Sequence, residues 1–269
     1  MSDLIFDGPG FPIAYDVTGD GPIVIAAHGL FSSRAGEDVL GLFDHSAAAV
    51  GRRLVRYDAP GHGRSGGRDT AEDYRWSRLA ESLLALLDEL GADEPVDAIG
   101  ASMGTATVLW AATMAPHRFR RLVLTIPPTA WQTRTAQADQ YRAMDRLVAE
   151  HGRAALVRAF AAGPDTPIMA AAVESADHDE DRPAVELPDV TAPLLRYVLA
   201  GAAASDLPDP DRLSVLKHPV LVLPWTDDPG HPMATAERLG ELLPNAVVEP
   251  ATDLAGVRGW GRRTARFLA

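Results

Sequence analysis

The chain has 269 residues, 46% of them hydrophobic, and its 25 Lys and Arg against 37 Asp and Glu leave a formal charge of −12. That is enough apolar material for one large α/β domain or two small ones, and it excludes disorder, collagen and coiled coil. A surface that repels phosphates argues against nucleic acid as a partner, and a chain without cysteine has no disulfide framework, thiolate nucleophile or thiolate metal site.

The opening MSDLIFDGPGFPIAYD lacks a basic segment followed by a long apolar one, and no run of 18 apolar residues follows, so a cytoplasmic protein without a membrane partner is expected. Short apolar runs alternate with helical periods, the pattern of a mostly parallel sheet covered by helices. Pro22 to Ala27 and Arg53 to Tyr57 are the first predicted strands, and the second runs into the turn-rich DAPGHGRSGG. From Thr70 the spacing of Trp76, Leu79, Leu83, Leu87 and Leu90 predicts a helix, with Thr70 and Asp73 as a capping box and Gly91 past its end. Pro95 to Gly100 predicts a strand leading through Ala101 to Gly104 into a helix from Thr105 to Met114. Strands follow at Arg121 to Ile126 and Pro219 to Leu223, then a helix from Met233 to Leu243, a short strand at Ala246 to Glu249 and a last helix from Ala255 to Leu268. Residues 127–217 lose the strand period. Helical patterning near Gln137 to Glu150 and Gly152 to Ala162, then an acidic stretch rich in Pro, describe a helical insertion too long to be a plain loop.

Gly100-Ala101-Ser102-Met103-Gly104 is G-x-S-x-G between an expected strand and an expected helix. In that context Ser102 sits on a strained turn that exposes its hydroxyl, and small neighbours let strand and helix approach. A Gly-Ser turn ahead of an ordinary helix is the structural alternative. The helix aims its N-terminal dipole at the same spot, which favours a developing oxyanion.

With His28-Gly29 after an early strand, YDAPGHGRS after the next and Ser102 at the bend, nearly the whole chain resembles the α/β-hydrolase superfamily, in its serine-nucleophile branch. The resemblance implies an α/β-hydrolase fold with a helical cap: a core of residues 1–126 and 218–269 and a cap of 127–217. It implies a Ser-acid-His triad in that chain order, and oxyanion donors from the backbone N–H of Leu30 and Met103. The acid falls in WTDDPGHP beyond the strand PVLVL, with Asp228 as first choice and Asp227 as the alternative; an Asp-Asp-Pro-Gly run is also an ordinary turn sequence.

The sequence departs from the family at the base. No histidine follows His231, and the loop after the last strand reads PATDLAG. Serine is a weak nucleophile unless a neighbouring base takes its proton. His117 and His218 precede strands at the wrong end of the sheet, His45 falls on an outer helix, His151 and His178 belong to the insertion, and His28 and His62 resemble loop-fixing residues. His231, three residues after Asp228, remains. Either it has taken the role of base, or it only lines the pocket and the triad is broken.

The leading reading is a serine hydrolase acting on a small-molecule ester, lactone or thioester. The others are a capped binding protein, a hydrolase of carbon–carbon bonds and a cofactor-free perhydrolase. A serine nucleophile argues against the haloalkane dehalogenase and epoxide hydrolase chemistries, which use a carboxylate. No metal-ligand spacing or phosphate-binding loop calls for a metal or cofactor. Trp131, Tyr141, Phe160, Met169 and Tyr197 suit an apolar acyl group, and equally suit the core of the cap.

Overall fold

The computed structural model describes residues 4–42, 44–162, 188–226 and 228–269. Asp227, Met169, His178 and most of the acidic stretch of the insertion lie outside the described residues. The expected strands form, with ends shifted by a residue or two: β3 (Ile23–Ala27), β4 (Arg53–Tyr57), β5 (Val96–Ala101), β6 (Phe119–Thr125), β7 (Val220–Leu223) and β8 (Ala246–Val248). Two strands were not foreseen, β1 (Leu4–Asp7) and β2 (Pro12–Thr18), which pair antiparallel along one edge. Their signal is broken by Gly8, Pro9 and Gly10, which make the turn between them. The sheet order is β1-β2-β4-β3-β5-β6-β7-β8, parallel from β4 onward.

Alternation along each strand divides the core between two faces. Ile25, Ala27, Ala98, Leu122, Leu124, Val220 and Val222 are buried under α2 (Trp76–Glu89), α3 (Met103–Met114) and α8 (Met233–Leu242). Val24, Ala26, Ile99, Val123 and Leu221 face α1 (Arg34–Leu40), α9 (Leu254–Arg258) and α10 (Trp260–Leu268). A third apolar cluster joins Tyr74 to α4 (Arg134–His151), α5 (Arg153–Ala162) and α6 (Leu195–Ala203). Short α7 (Pro210–Ser214) leads back to the sheet.

Some local expectations change. Thr70 makes no capping bond: Ala71–Tyr74 is a 3-10 turn, α2 begins at Trp76, and Asp73 pairs with Arg68 at 2.7 Å instead. The helix ends as expected, with Gly91 at φ +60° and Ala92 N–H donating to Leu87 O. The last predicted helix is two, divided at Gly259. Helix α6 falls where only a Pro-punctuated acidic stretch was expected. His45 precedes a 3-10 turn rather than lying within a helix.

Among the described residues no helix is long and apolar enough to cross a membrane, and no group of His, Asp and Glu could hold a metal ion.

Candidate active site

The first crossover, from β3, leads to β4 on one side, and the chain then returns to place β5 on the other side of β3. Two loops therefore diverge at the carboxyl ends of β3 and β5 and leave a crevice between them, where open α/β sheets bind ligands. Ser102 closes β5 with φ +52° and ψ −111°, a conformation costly for a residue with a side chain. What sustains it is close packing. A methyl on Gly104 would overlap the Ala27 carbonyl and lie 2.9 Å from the His28 oxygen, and one on Gly100 would lie 2.6 Å from Thr105 N. Ser102 N–H donates to Thr125 O at 3.1 Å and the Thr105 hydroxyl to Gly100 O at 2.8 Å, so the bend is bonded on both sides.

Across the crevice the turn after β3 packs on the serine: a methyl on Gly29 would be 3.4 Å from Ser102 Cβ. Beneath it His28 donates from Nδ1 to Gly29 O (2.8 Å) and accepts Ala59 N–H at Nε2 (2.9 Å), tying this turn to the loop after β4. His62 donates from Nδ1 to Pro60 O, its Nε2 is buried with no partner among the described residues, and burial together with nearby His28 pushes its pKa down to about 3. Neither ring is bonded to the serine. Neither the Leu30 nor the Met103 backbone N–H finds an acceptor among the described residues.

A buried ion network, not foreseen in the sequence, fixes this turn from below. Asp58 accepts Arg34 N–H (2.9 Å), Arg34 Nη2 (3.0 Å) and Arg64 N–H (3.0 Å), while Arg34 Nη1 reaches Asp16 at 3.0 Å. Burial alone would raise the Asp58 pKa, but the bond and charge of Arg34 hold it below the ordinary carboxylate range. Charges 18 and 24 positions apart in the chain carry no local signal of this meeting.

The loop after β7 supplies the rest. Asp228 is buried, and its carboxylate accepts Gly230 N–H at Oδ1 (3.0 Å) and His231 Nδ1–H at Oδ2 (2.6 Å). His231 Nε2 lies 2.7 Å from Ser102 Oγ, positioned to accept the hydroxyl proton. His231 N–H donates to Asp228 O at 3.1 Å, so one turn holds acid and imidazole together. After β8, where the resemblance implies a histidine, Ala251 pairs with Trp225 and Asp253 caps α9 through Gly256 N–H at 2.7 Å.

A sequence profile described as alpha/beta hydrolase fold matches residues 22–253. The chain belongs to the alpha/beta hydrolase family. Part of the chain is 41% identical over 83 residues to the dihydrolipoyllysine-residue acetyltransferase component of an acetoin cleaving system from Pseudomonas putida, covering 31% of the chain and 22% of that protein. A 116-residue stretch is 34% identical to a putative non-heme haloperoxidase of Mycobacterium phage D29, covering 43% and 39%. The chain thus spans well under half the length of the curated relatives it matches. Among solved structures, a thermophilic esterase from Thermogutta terrifontis superposes with a TM-score of 0.73 at 18% identity, over 100% of this chain and 97% of that one. That likeness is one of fold.

Proposed function

We propose that this hydrolase cleaves a small ester, lactone or thioester through an acyl-enzyme, with Ser102 as nucleophile, His231 as general base and Asp228 as the acid that orients it. The reading rests on one observation: a single imidazole lies between the Ser102 hydroxyl at 2.7 Å and the Asp228 carboxylate at 2.6 Å. A carboxylate accepts only, so His231 carries its proton on Nδ1 and leaves Nε2 free to take the serine proton. Ser102 Oγ attacks the carbonyl carbon as its proton passes to Nε2. The resulting oxyanion is held by the Leu30 and Met103 amides and the amino end of α3. The imidazolium, stabilised by Asp228, returns the proton to the leaving alcohol or thiol; water then repeats the sequence and frees the acid. Helices α4, α5 and α6 act as a cap over the acyl side.

Incubation with a fluorophosphonate tests this directly. Rapid stoichiometric labelling confined to Ser102, with turnover of a short chromogenic ester, is expected. A folded protein that does neither would favour a capped binding protein. The stretch resembling the phage haloperoxidase supports a second activity at the same residues, in which hydrogen peroxide replaces water at the acyl-enzyme and leaves as a peracid. Peracid formation that depends on both Ser102 and added peroxide distinguishes it from plain hydrolysis.

A further inference from the structure

The turn that carries the Leu30 amide also carries an aromatic ring, and the backbone there is strained. Phe31 has φ +68°, outside the range a bulky side chain ordinarily adopts. Its carbonyl is held by a strap of the insertion: Asp189 N–H donates to Phe31 O at 2.8 Å, the Asp189 carboxylate accepts the Ser33 hydroxyl, and Thr191 N–H donates to Gly61 O at 2.9 Å. With the main chain fixed, the ring lies against two others, Tyr141 of α4 (edge to face, centroids 6.4 Å apart) and Phe160 of α5 (5.5 Å). All three rings are mostly buried and keep a minor part of their surface exposed.

Tyr141 is braced in turn by Arg134, whose guanidinium stacks 5.3 Å from its ring centre and 4.1 Å from that of Trp76. That cation is committed, donating to Ser205 O (2.7 Å), Ala202 O (2.5 Å) and the Thr129 hydroxyl (3.2 Å). Phe31, Tyr141, Phe160 and Tyr197 all pack against the third cluster, but among the described residues only Tyr141 and Phe160 make ring contacts with Phe31, and the Trp131 indole N–H donates to Pro208 O.

We infer that Phe31, with Tyr141 and Phe160, selects the acyl group of the substrate, and that this group is apolar and bulky, of the phenylacetyl kind, rather than acetyl or carboxylate-bearing. The inference rests on the serine-hydrolase reading. Its physical content is that one turn holds both an oxyanion donor and the contact surface. Acyl packing on Phe31 then steadies the Leu30 N–H, and binding energy from the acyl group appears in kcat. Phe160, on α5 and away from that turn, contributes mainly to KM.

The test compares 4-nitrophenyl phenylacetate, acetate and hemisuccinate on the wild type, Phe31→Ala and Phe160→Ala. The expected order is phenylacetate above acetate above hemisuccinate. The phenylacetate-to-acetate ratio of kcat/KM should fall about tenfold or more in each variant, chiefly through kcat for Phe31→Ala and chiefly through KM for Phe160→Ala. A ratio unchanged in both variants, or equal losses in KM alone, overturns the inference. If Phe31→Ala does not fold, Phe160→Ala and the substrate order decide. Binding of the same esters to Ser102→Ala separates the two levels of the argument. If the wild type is not labelled and cleaves nothing, the hydrolase reading fails, and the ring cluster stands only if this variant binds phenylacetate more tightly than acetate. Equal affinities overturn it.

Discussion

Replacing His231 by Ala removes one side chain from a turn whose main chain is bonded independently of it. His231 N–H still donates to Asp228 O, and Gly230 N–H still binds Asp228 Oδ1, so the loop should survive. What disappears is an acceptor 2.7 Å from Ser102 Oγ, and among the described residues no other histidine is bonded to that oxygen. General-base transfer is lost both in forming and in breaking the acyl-enzyme. We expect kcat to fall about 10⁴-fold, roughly 5 kcal/mol of transition-state stabilisation, with KM within about threefold because the ring is not a ground-state contact. Steady-state turnover of a chromogenic ester, alongside thermal melting to establish folding, measures both. Asp228→Asn is the companion. Its amide would present N–H to Nδ1, force the ring into the other tautomer and place a proton on Nε2, again costing about 10⁴-fold with the fold intact. A folded His231→Ala protein that loses less than about tenfold in kcat would refute the assignment of the base.

Other outcomes follow from particular contacts. Gly104→Ala drives a methyl into the Ala27 carbonyl, which is backbone and cannot yield; we expect a loss above about 3 kcal/mol or failure to fold, whereas Gly91→Ala, with open space around it but φ +60°, should cost about 1 kcal/mol, both read by urea unfolding. Arg34→Met leaves Asp58 buried without its cationic partner, while Asp16 keeps Arg56 at 3.1 Å, and should cost about 3 kcal/mol by the same measurement; a loss under about 1 kcal/mol would mean that the network is dispensable. Because His62 is held neutral down to about pH 3 when folded but titrates near 6.5 when unfolded, the unfolded chain takes up the extra proton as pH falls. Stability is therefore full above about 6.5 and declines below it, by up to about 1.4 kcal/mol per pH unit for this one proton. His62→Asn should flatten that acid limb, and melting curves between pH 7 and 4 that run parallel to the wild type would contradict this.

Much of the chemistry was legible because it is local. The bend at Ser102 is dictated by small residues on either side of one serine between a strand and a helix, and three-residue spacing puts Asp228 and His231 in a single turn. The same locality explains what was misplaced. Thr70 and Asp73 have the right spacing for a capping box, yet Asp73 found Arg68 instead, and the edge strands β1 and β2 were hidden by the glycines and proline that join them. Whether His231 could reach Ser102 was not a local matter. It depended on β5, β6 and β7 running parallel as neighbours, which puts the loops after β5 and β7 at the same end of the sheet. Arg34 with Asp16 and Asp58, and Phe31 with Tyr141 and Phe160, depended likewise on segments far apart in the chain. Short-range sterics and period thus determined the elements and the reactive bend. The partners of buried charges, the faces of the rings and the reach of the imidazole were decided only when the sheet order closed distances that the sequence leaves open.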